Sequence, residues 1–201
     1  MITEKTNNTA LKIRKAATKL FGKQGFYNVS IKEIAAEAGT NSALISYYYG
    51  GKKQLYSAVI AQQSELIEQL QDKIKGLKEP ALTLIYDYLE AIMKAQLNKD
   101  DNIGLLYREV LTPTGLCDDT IGNHLRSIHT FTQELLSKAI EEKSLKALPD
   151  QPSAAFILES VTVLIFLVRR QLITSFDAKL SYDQLLKKII ASYFEPYVIK
   201  N

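Results

Sequence analysis

Between Ser30 and Lys53 the chain reads SIKEIAAEAGTNSALISYYYGGKK, and its polar groups have the size and spacing to hold a nucleic-acid duplex. Asn41, Ser42, Ala43 and Ser46 are small residues on one short helical stretch. Groups of that size let a helix sit deep in a major groove, where amides and hydroxyls meet base edges. Three tyrosines follow in a row, and helical neighbours point about 100° apart. Tyr49 lies four residues after Ile45 and should turn inward with it. Tyr47 faces out and can reach a phosphate through its hydroxyl. Tyr48 is a candidate for either role. Lys52, just past Gly50-Gly51, can meet the duplex backbone beside the groove, as can Ser30 at the other end of the segment. Free N–H groups where the helix begins, around Thr40 to Ser42, add to the attraction for phosphate.

Such groups act together only if two short helices hold them at a fixed angle. Ser30 and Glu33 make an S-x-x-E capping box, which predicts a helix from Ile31. Ile31, Ile34, Ala35 and Ala38 then fall at i, i+3, i+4 and i+7, a single apolar stripe. Gly39 can take a positive φ in the turn, and Thr40 or Asn41 can cap the helix after it. Two helices joined this way form a helix-turn-helix. A first helix is expected over about 9–23. On its wheel Lys12, Lys15, Lys19 and Lys23 lie within about 80° of one another, opposite Ile13, Ala17, Leu20 and Phe21. Beside a helix-turn-helix, Lys12 and Lys15 are expected to attract phosphates. Charge is distributed accordingly: residues 1–56 hold nine Lys/Arg against three Asp/Glu, and residues 57–201 hold sixteen against nineteen. A basic small domain joined to a mildly acidic larger one suits a polyanionic partner.

The whole chain has 201 residues and only nine Gly and five Pro, with apolar residues recurring at helical period almost throughout. An all-α fold is expected, divided into a helix-turn-helix domain over 1–56 and a larger helical domain over 57–201. A long helix over about 52–75 should link the two. Further helices are expected over about 80–98, 103–111, 118–142, 152–175 and 182–198, with polar turns at 98–102 and 177–181. The run FILESVTVLIFLV is too short for a membrane span, which needs about 20 apolar residues, and carries Glu159 in its middle. A helix apolar on most sides is buried in a core or between subunits. Arg169 and Arg170 near its end can complement its dipole. Apolar stripes on the last two helices suit a four-helix bundle across a two-fold axis, with Val161, Ile165, Leu185, Ile189 and Tyr193 at the interface. Cys117 stands alone and the N-terminus has no apolar h-region, so a reducing cytoplasm is expected and a signal peptide is not.

The segment from Ala10 to about Gln62 resembles the N-terminal domain of the TetR family of bacterial transcriptional regulators. The matching residues are Ala16-Ala17, Leu20-Phe21, Gly25-Phe26, Ile34-Ala35, Ala38-Gly39, Tyr48-Tyr49-Gly50, Lys52 and Leu55. Ser42 stands where a Lys is common, Ser46 where a Tyr is common, and Gly51 where a Ser or Thr usually caps the fourth helix. The first two departures bear on which DNA sequence is read, not on how it is held. Arg108-Glu109, one turn before Pro113-Thr114, is similar to the CecR-like branch. The resemblance implies an all-α homodimer joined through its last two long helices. It also implies a palindromic operator on double-stranded DNA, and a pocket for a small-molecule effector among the helices from about 80 to 175. Repression relieved by the effector is the expected outcome. Tyr86, Tyr107, Arg108, His124 and Glu159 are the pocket candidates, and the tyrosines among apolar neighbours suggest a hydrophobic or amphipathic effector. Arg108 could anchor an acidic group or simply pair with Glu109.

Other classes find less support. There is no Gly-rich phosphate loop and no Ser or Cys nucleophile with a visible base, so an enzyme is not expected. His124 and His129 are five residues apart, not the i, i+4 pair of a metal site, so neither metal nor cofactor is expected. A ligand-independent architectural or cell-division factor of the same fold is the alternative within the DNA-binding class. A helical adaptor for acidic protein or anionic lipid is a third.

Overall fold

The computed structural model describes the backbone of residues 2–97, 104–175 and 181–199, with side chains over 8–96, 104–165, 167–168 and 181–199. The described residues form α1 (Ile2–Gln24), α2 (Ile31–Glu37), α3 (Ser42–Tyr49), α4 (Lys52–Lys75), α5 (Ala81–Leu97), α6 (Gly104–Leu111), α7 (Asp118–Glu141), α8 (Gln151–Ser175) and α9 (Tyr182–Phe194). Among them there is no strand, only one isolated bridge between Leu145 and Val198. The fold is all-α, as the helical periodicity requires.

Local chemistry sets the ends of the helix-turn-helix. The backbone N–H of Glu33 donates to Ser30 Oγ at 3.2 Å, and the Ser30 N–H donates to Glu33 Oε2 at 2.7 Å, closing the capping box at α2. Gly39 turns the chain with φ +63°, a region that L side chains rarely enter. Asn41, not Thr40, then caps α3, its Oδ1 accepting from the Leu44 N–H at 3.1 Å. Gly50 closes α3 in the left-handed region at φ +77°. Removing the Asn41 cap by Asn41→Ala should cost about 1 kcal/mol. The denaturant midpoint reads that loss, with the slope m unchanged.

The chain divides into two compact units. The first comprises Met1–Leu66 and Asn98–Gly122, the second Ile67–Leu97 and Asn123–Asn201. The boundary expected at residue 56 falls inside the first unit, which also takes in α6. Its core joins Ile13, Ala17 and Phe21 of α1 to Ile34, Ile45, Leu55, Tyr56, Leu105 and Leu106, all buried. Tyr56 is the hub: its ring lies 5.1 Å from Phe21, edge to face, and 4.9 Å from Phe26. Pairs at these separations add to what area burial alone supplies.

In the second unit α5 packs against α8 and α9. Ala154, Ala155, Leu158, Thr162 and Ile165 of α8 face inward with Leu186, Ile190 and Phe194 of α9. Ile165 was expected at a subunit interface but is only 4% exposed, inside its own unit. Spacing explains the correction, because Ile165 shares the i, i+4, i+7 row of Leu158 and Thr162. The apolar face left open on α8 is instead Phe156 at 65%, Leu164 at 58% and Leu167 at 39%, with Ile189 of α9 at 38%. Val161, Leu185 and Tyr193 are half-buried. Helix α9 stops at Phe194, short of the expected 198, because Pro196 follows and has no N–H to continue it. The turn expected at 98–102, all but Ser181 of the turn expected at 177–181, and the roles expected of Arg169 and Arg170 lie outside the described residues.

Candidate nucleic-acid interface

Helix α3 presents two unlike faces. Ile45 is fully buried, and the Tyr49 hydroxyl donates to the Ala10 carbonyl of α1 at 2.8 Å. That bond fixes the rotation of α3 about its axis against α1. The opposite face carries Asn41, Ala43, Ser46 and Tyr47, all exposed, and Tyr47 is 76% exposed. Ser42 is half-buried at its edge. Tyr48 is half-buried too, and its ring meets Tyr47 edge to face at 5.0 Å, bracing the exposed phenol. The outward face is short-chained except for Tyr47, so a groove could approach closely.

Ser30, Glu33 and Lys52 form a charged edge beside this face. Ser30 donates its hydroxyl to Glu33 Oε2 at 2.7 Å, so the hydroxyl expected to meet phosphate is already engaged. The two bonds from Ser30 hold the Glu33 carboxyl below its ordinary pKa. Lys52 rests its ammonium 4.3 Å from the centre of the Phe26 ring. Partial burial pulls the Lys52 pKa down, and the Glu33 charge pulls it back up. Lys52 is therefore pre-positioned by packing as well as by charge. Exposed Lys12 and Lys15 line one groove with Lys19, Glu37 and Gly39.

The pocket candidates do not gather in one unit. Tyr107 and Arg108 belong to the first unit, and Tyr86, His124 and Glu159 to the second. Arg108 does not pair with Glu109. Its guanidinium donates to the Phe21 carbonyl at 3.3 Å, near the C-terminal end of α1, sharing that oxygen with the Gly25 N–H at 2.8 Å. Tyr86 is half-buried, and burial raises its pKa. His124 is buried, which pushes its pKa down to about 4 and leaves the ring neutral at pH 7. Glu159 faces His129 at 3.3 Å; burial raises its pKa against the pull of the histidine. Among the described residues no group of three His, Cys, Asp or Glu could hold a metal ion, and no helix is long and apolar enough to cross a membrane.

One polar cluster gathers around the carboxylate of Glu109. Glu109 of α6 is 2% exposed and accepts three hydrogen bonds. The Tyr56 hydroxyl donates to Oε2 at 2.6 Å, while the N–H and hydroxyl of Thr114 donate to Oε1 at 2.9 and 2.6 Å. Gln63 of α4 accepts from the Leu106 N–H at 2.8 Å, at the start of α6. Helix α6 is thus tied to α1 through Arg108 and to α4 through Glu109 and Leu106. The advance signal was the Arg108-Glu109 pair one turn before Pro113-Thr114, in the GLLYREVL segment.

A capped recognition-type helix on a basic three-helix head defines a helix-turn-helix DNA-binding protein. The model of the bacterial regulatory proteins of the tetR family matches residues 13–59, so this segment is a TetR-type N-terminal domain. It is 27% identical over 166 residues to the probable HTH-type transcriptional regulator YttP of Bacillus subtilis, spanning 80% of this chain and 78% of YttP. It is 32% identical over 112 residues to the HTH-type transcriptional dual regulator CecR of Shigella flexneri, about half of either chain (49% and 50%). Its fold is similar to that of AibR in a crystal structure with isovaleryl coenzyme A and operator DNA. That match has a TM-score of 0.74 at 18% identity and covers 92% of this chain and 98% of that one. These relatives are transcriptional regulators and not enzymes.

Proposed function

We propose that the protein is a cytoplasmic, ligand-responsive repressor that binds a palindromic operator as a homodimer and is released by a small, largely apolar effector. The observation that carries this reading is the outward face of α3, short-chained apart from a braced Tyr47, on a head with a surplus of lysine. Asn41, Ser42, Ala43 and Ser46 approach base edges. Lys12, Lys15, Tyr47 and Lys52 hold the phosphate backbone, and Ser30 joins them by exchanging its bond to Glu33 for one to phosphate. Tyr48 contributes by bracing Tyr47. Two copies place their α3 helices about 34–36 Å apart, one turn of duplex. The open apolar face of α8, with Ile189, is what the second copy covers.

Effector binding is read out through α4 and α6. Because α6 is hydrogen-bonded to α1 and α4, a displacement of either helix reorients the head and changes the spacing of the pair. The coupling required is modest, typically about 1–3 kcal/mol. AibR, whose structure holds both an acyl coenzyme A and operator DNA, supports an effector with an apolar portion.

Tyr47→Ala tests the DNA face. Because Tyr47 is exposed, helicity and dimerisation stay as they are. Affinity for a duplex selected by the full chain from a randomised pool falls about tenfold, the loss of one good charge-assisted contact. Unchanged affinity at physiological salt would sink the assignment of α3 as the reading helix.

A further inference from the structure

We propose that the side-chain amide of Gln96 is the polar anchor of the effector site and holds an uncharged effector amide by one donated and one accepted hydrogen bond. The proposal rests on the ligand-responsive reading above and deepens it by naming the group that is held. Gln96 lies one residue from the end of α5 and is only 2% exposed. Among the described residues neither its Nε2 nor its Oε1 has a hydrogen-bond partner. Three other buried polar side chains of the same unit are engaged. Gln71 of α4 donates to the Tyr88 hydroxyl at 3.0 Å and accepts from the Ser127 hydroxyl at 3.0 Å. Thr132 and Thr162 donate to the carbonyls of Ile128 and Glu159, at 2.9 and 2.7 Å. Two glutamines of one core therefore differ: Gln71 joins helices, whereas Gln96 keeps a donor and an acceptor in reserve. A buried amide left in that state weakens the fold until something completes it.

The surroundings decide what can complete it. Leu89, Ile92 and Met93 stand seven, four and three residues before Gln96 on the same face of α5, and all are buried. Helix α7 runs antiparallel to α5: the Ala81 N–H donates to Glu142 Oε2 at 2.8 Å, and the Tyr88 and Phe131 rings lie 4.7 Å apart. Continued about two turns along both helices, that register sets Gln96 level with buried His124, one turn from Ile128. The aliphatic neighbours carry no charge, and burial keeps the His124 ring neutral at pH 7. An ionised group beside Gln96 would lack a counter-charge, which a buried site penalises heavily. The group must then be neutral and offer an acceptor and an N–H side by side, as primary amides and lactams do. Esters and lactones have the acceptor alone. The aliphatic wall takes the rest of the molecule, and Met93 has the torsional freedom to adjust to its shape.

The test titrates the full chain with octanamide, octanoate and methyl octanoate, which share one chain and differ in the head group. Wild-type protein binds octanamide at least about tenfold tighter than either of the others, the worth of one or two hydrogen bonds in a buried site. Gln96→Met keeps the length of the side chain and deletes both polar ends. It melts no lower than wild type, because no bond within the protein is lost, and it binds all three probes within about threefold of one another. Octanoate or the ester binding wild type as tightly as octanamide would overturn the proposal, as would no binding of octanamide. A Gln96→Met protein that melts clearly lower would mean that ordered water already completes the amide, and would overturn it too. Operator affinity is measured separately, with and without saturating octanamide, on the duplex selected by the full chain. Weaker operator binding with octanamide, absent in Gln96→Met, supports the anchor as part of the effector site. Octanamide held through Gln96 with operator affinity unchanged would leave the amide site standing and remove the ligand-responsive reading instead.

Discussion

Leu164→Glu combined with Ile189→Glu is expected to yield a folded monomer whose affinity for the selected operator is at least about a hundredfold weaker than wild type. Both side chains are substantially exposed in the single chain, so the carboxylates are solvated there and the helices keep their own packing. In a dimer built on this face the same four carboxylates, two from each copy, would be buried against apolar surface and one another. Each unpaired buried charge costs several kcal/mol, more than such an interface can absorb. Without the partner, the second head no longer binds at the high effective concentration that tethering provides. Sedimentation equilibrium reads the mass, and titration of the palindromic duplex reads the affinity. A variant that still sediments as a dimer would show that the copies meet elsewhere. Leu185→Glu alone is a weaker probe, because Leu185 is already half-buried by its own unit.

The helix-turn-helix was legible because its determinants are local. The capping pair Ser30 and Glu33, the positive φ of Gly39, and Asn41 ahead of Leu44 each act within four residues. Helix α8 shows the opposite case. A helix apolar on most sides has no phase, so its pattern cannot say which residues face inward. Only the crossing of α5 and α9 selects Ala154, Leu158, Thr162 and Ile165 over Phe156 and Leu164. Pairings distant along the chain were invisible for a related reason. An apolar stripe on α6 says that one face is buried, not that its partners are Tyr56 and Phe21. The site itself was half legible. Residue type and spacing marked the α3 face, but not that Ser30 spends its hydroxyl on Glu33 or that Glu37 lies across the lysine stripe.

The largest stability loss from one substitution in the first unit is expected at Glu109. Glu109→Ala removes the acceptor of three hydrogen bonds and leaves the buried Tyr56 hydroxyl and both donors of half-buried Thr114 without it. Each stranded donor costs about 1–3 kcal/mol, so a total loss of about 3–5 kcal/mol is expected once partial relaxation is allowed. Tyr56→Phe is the control, since it keeps the ring that packs on Phe21 and Phe26 and deletes only one donor. It should cost about 1 kcal/mol. Glu109→Gln should fall between, because the amide keeps one acceptor but turns an NH₂ toward a donor. Guanidinium unfolding followed by circular dichroism gives all three, and the Tyr56/Glu109 double variant gives the coupling, expected at about 1–2 kcal/mol. The consequence extends to function, because these bonds fasten α6 to the helix that follows the reading head. Weakening them should loosen the head before the rest of the chain unfolds, so operator affinity falls at denaturant concentrations where helicity is still intact. A Glu109→Ala protein less than about 1 kcal/mol below wild type would mean that the carboxylate is not what joins α6 to the head.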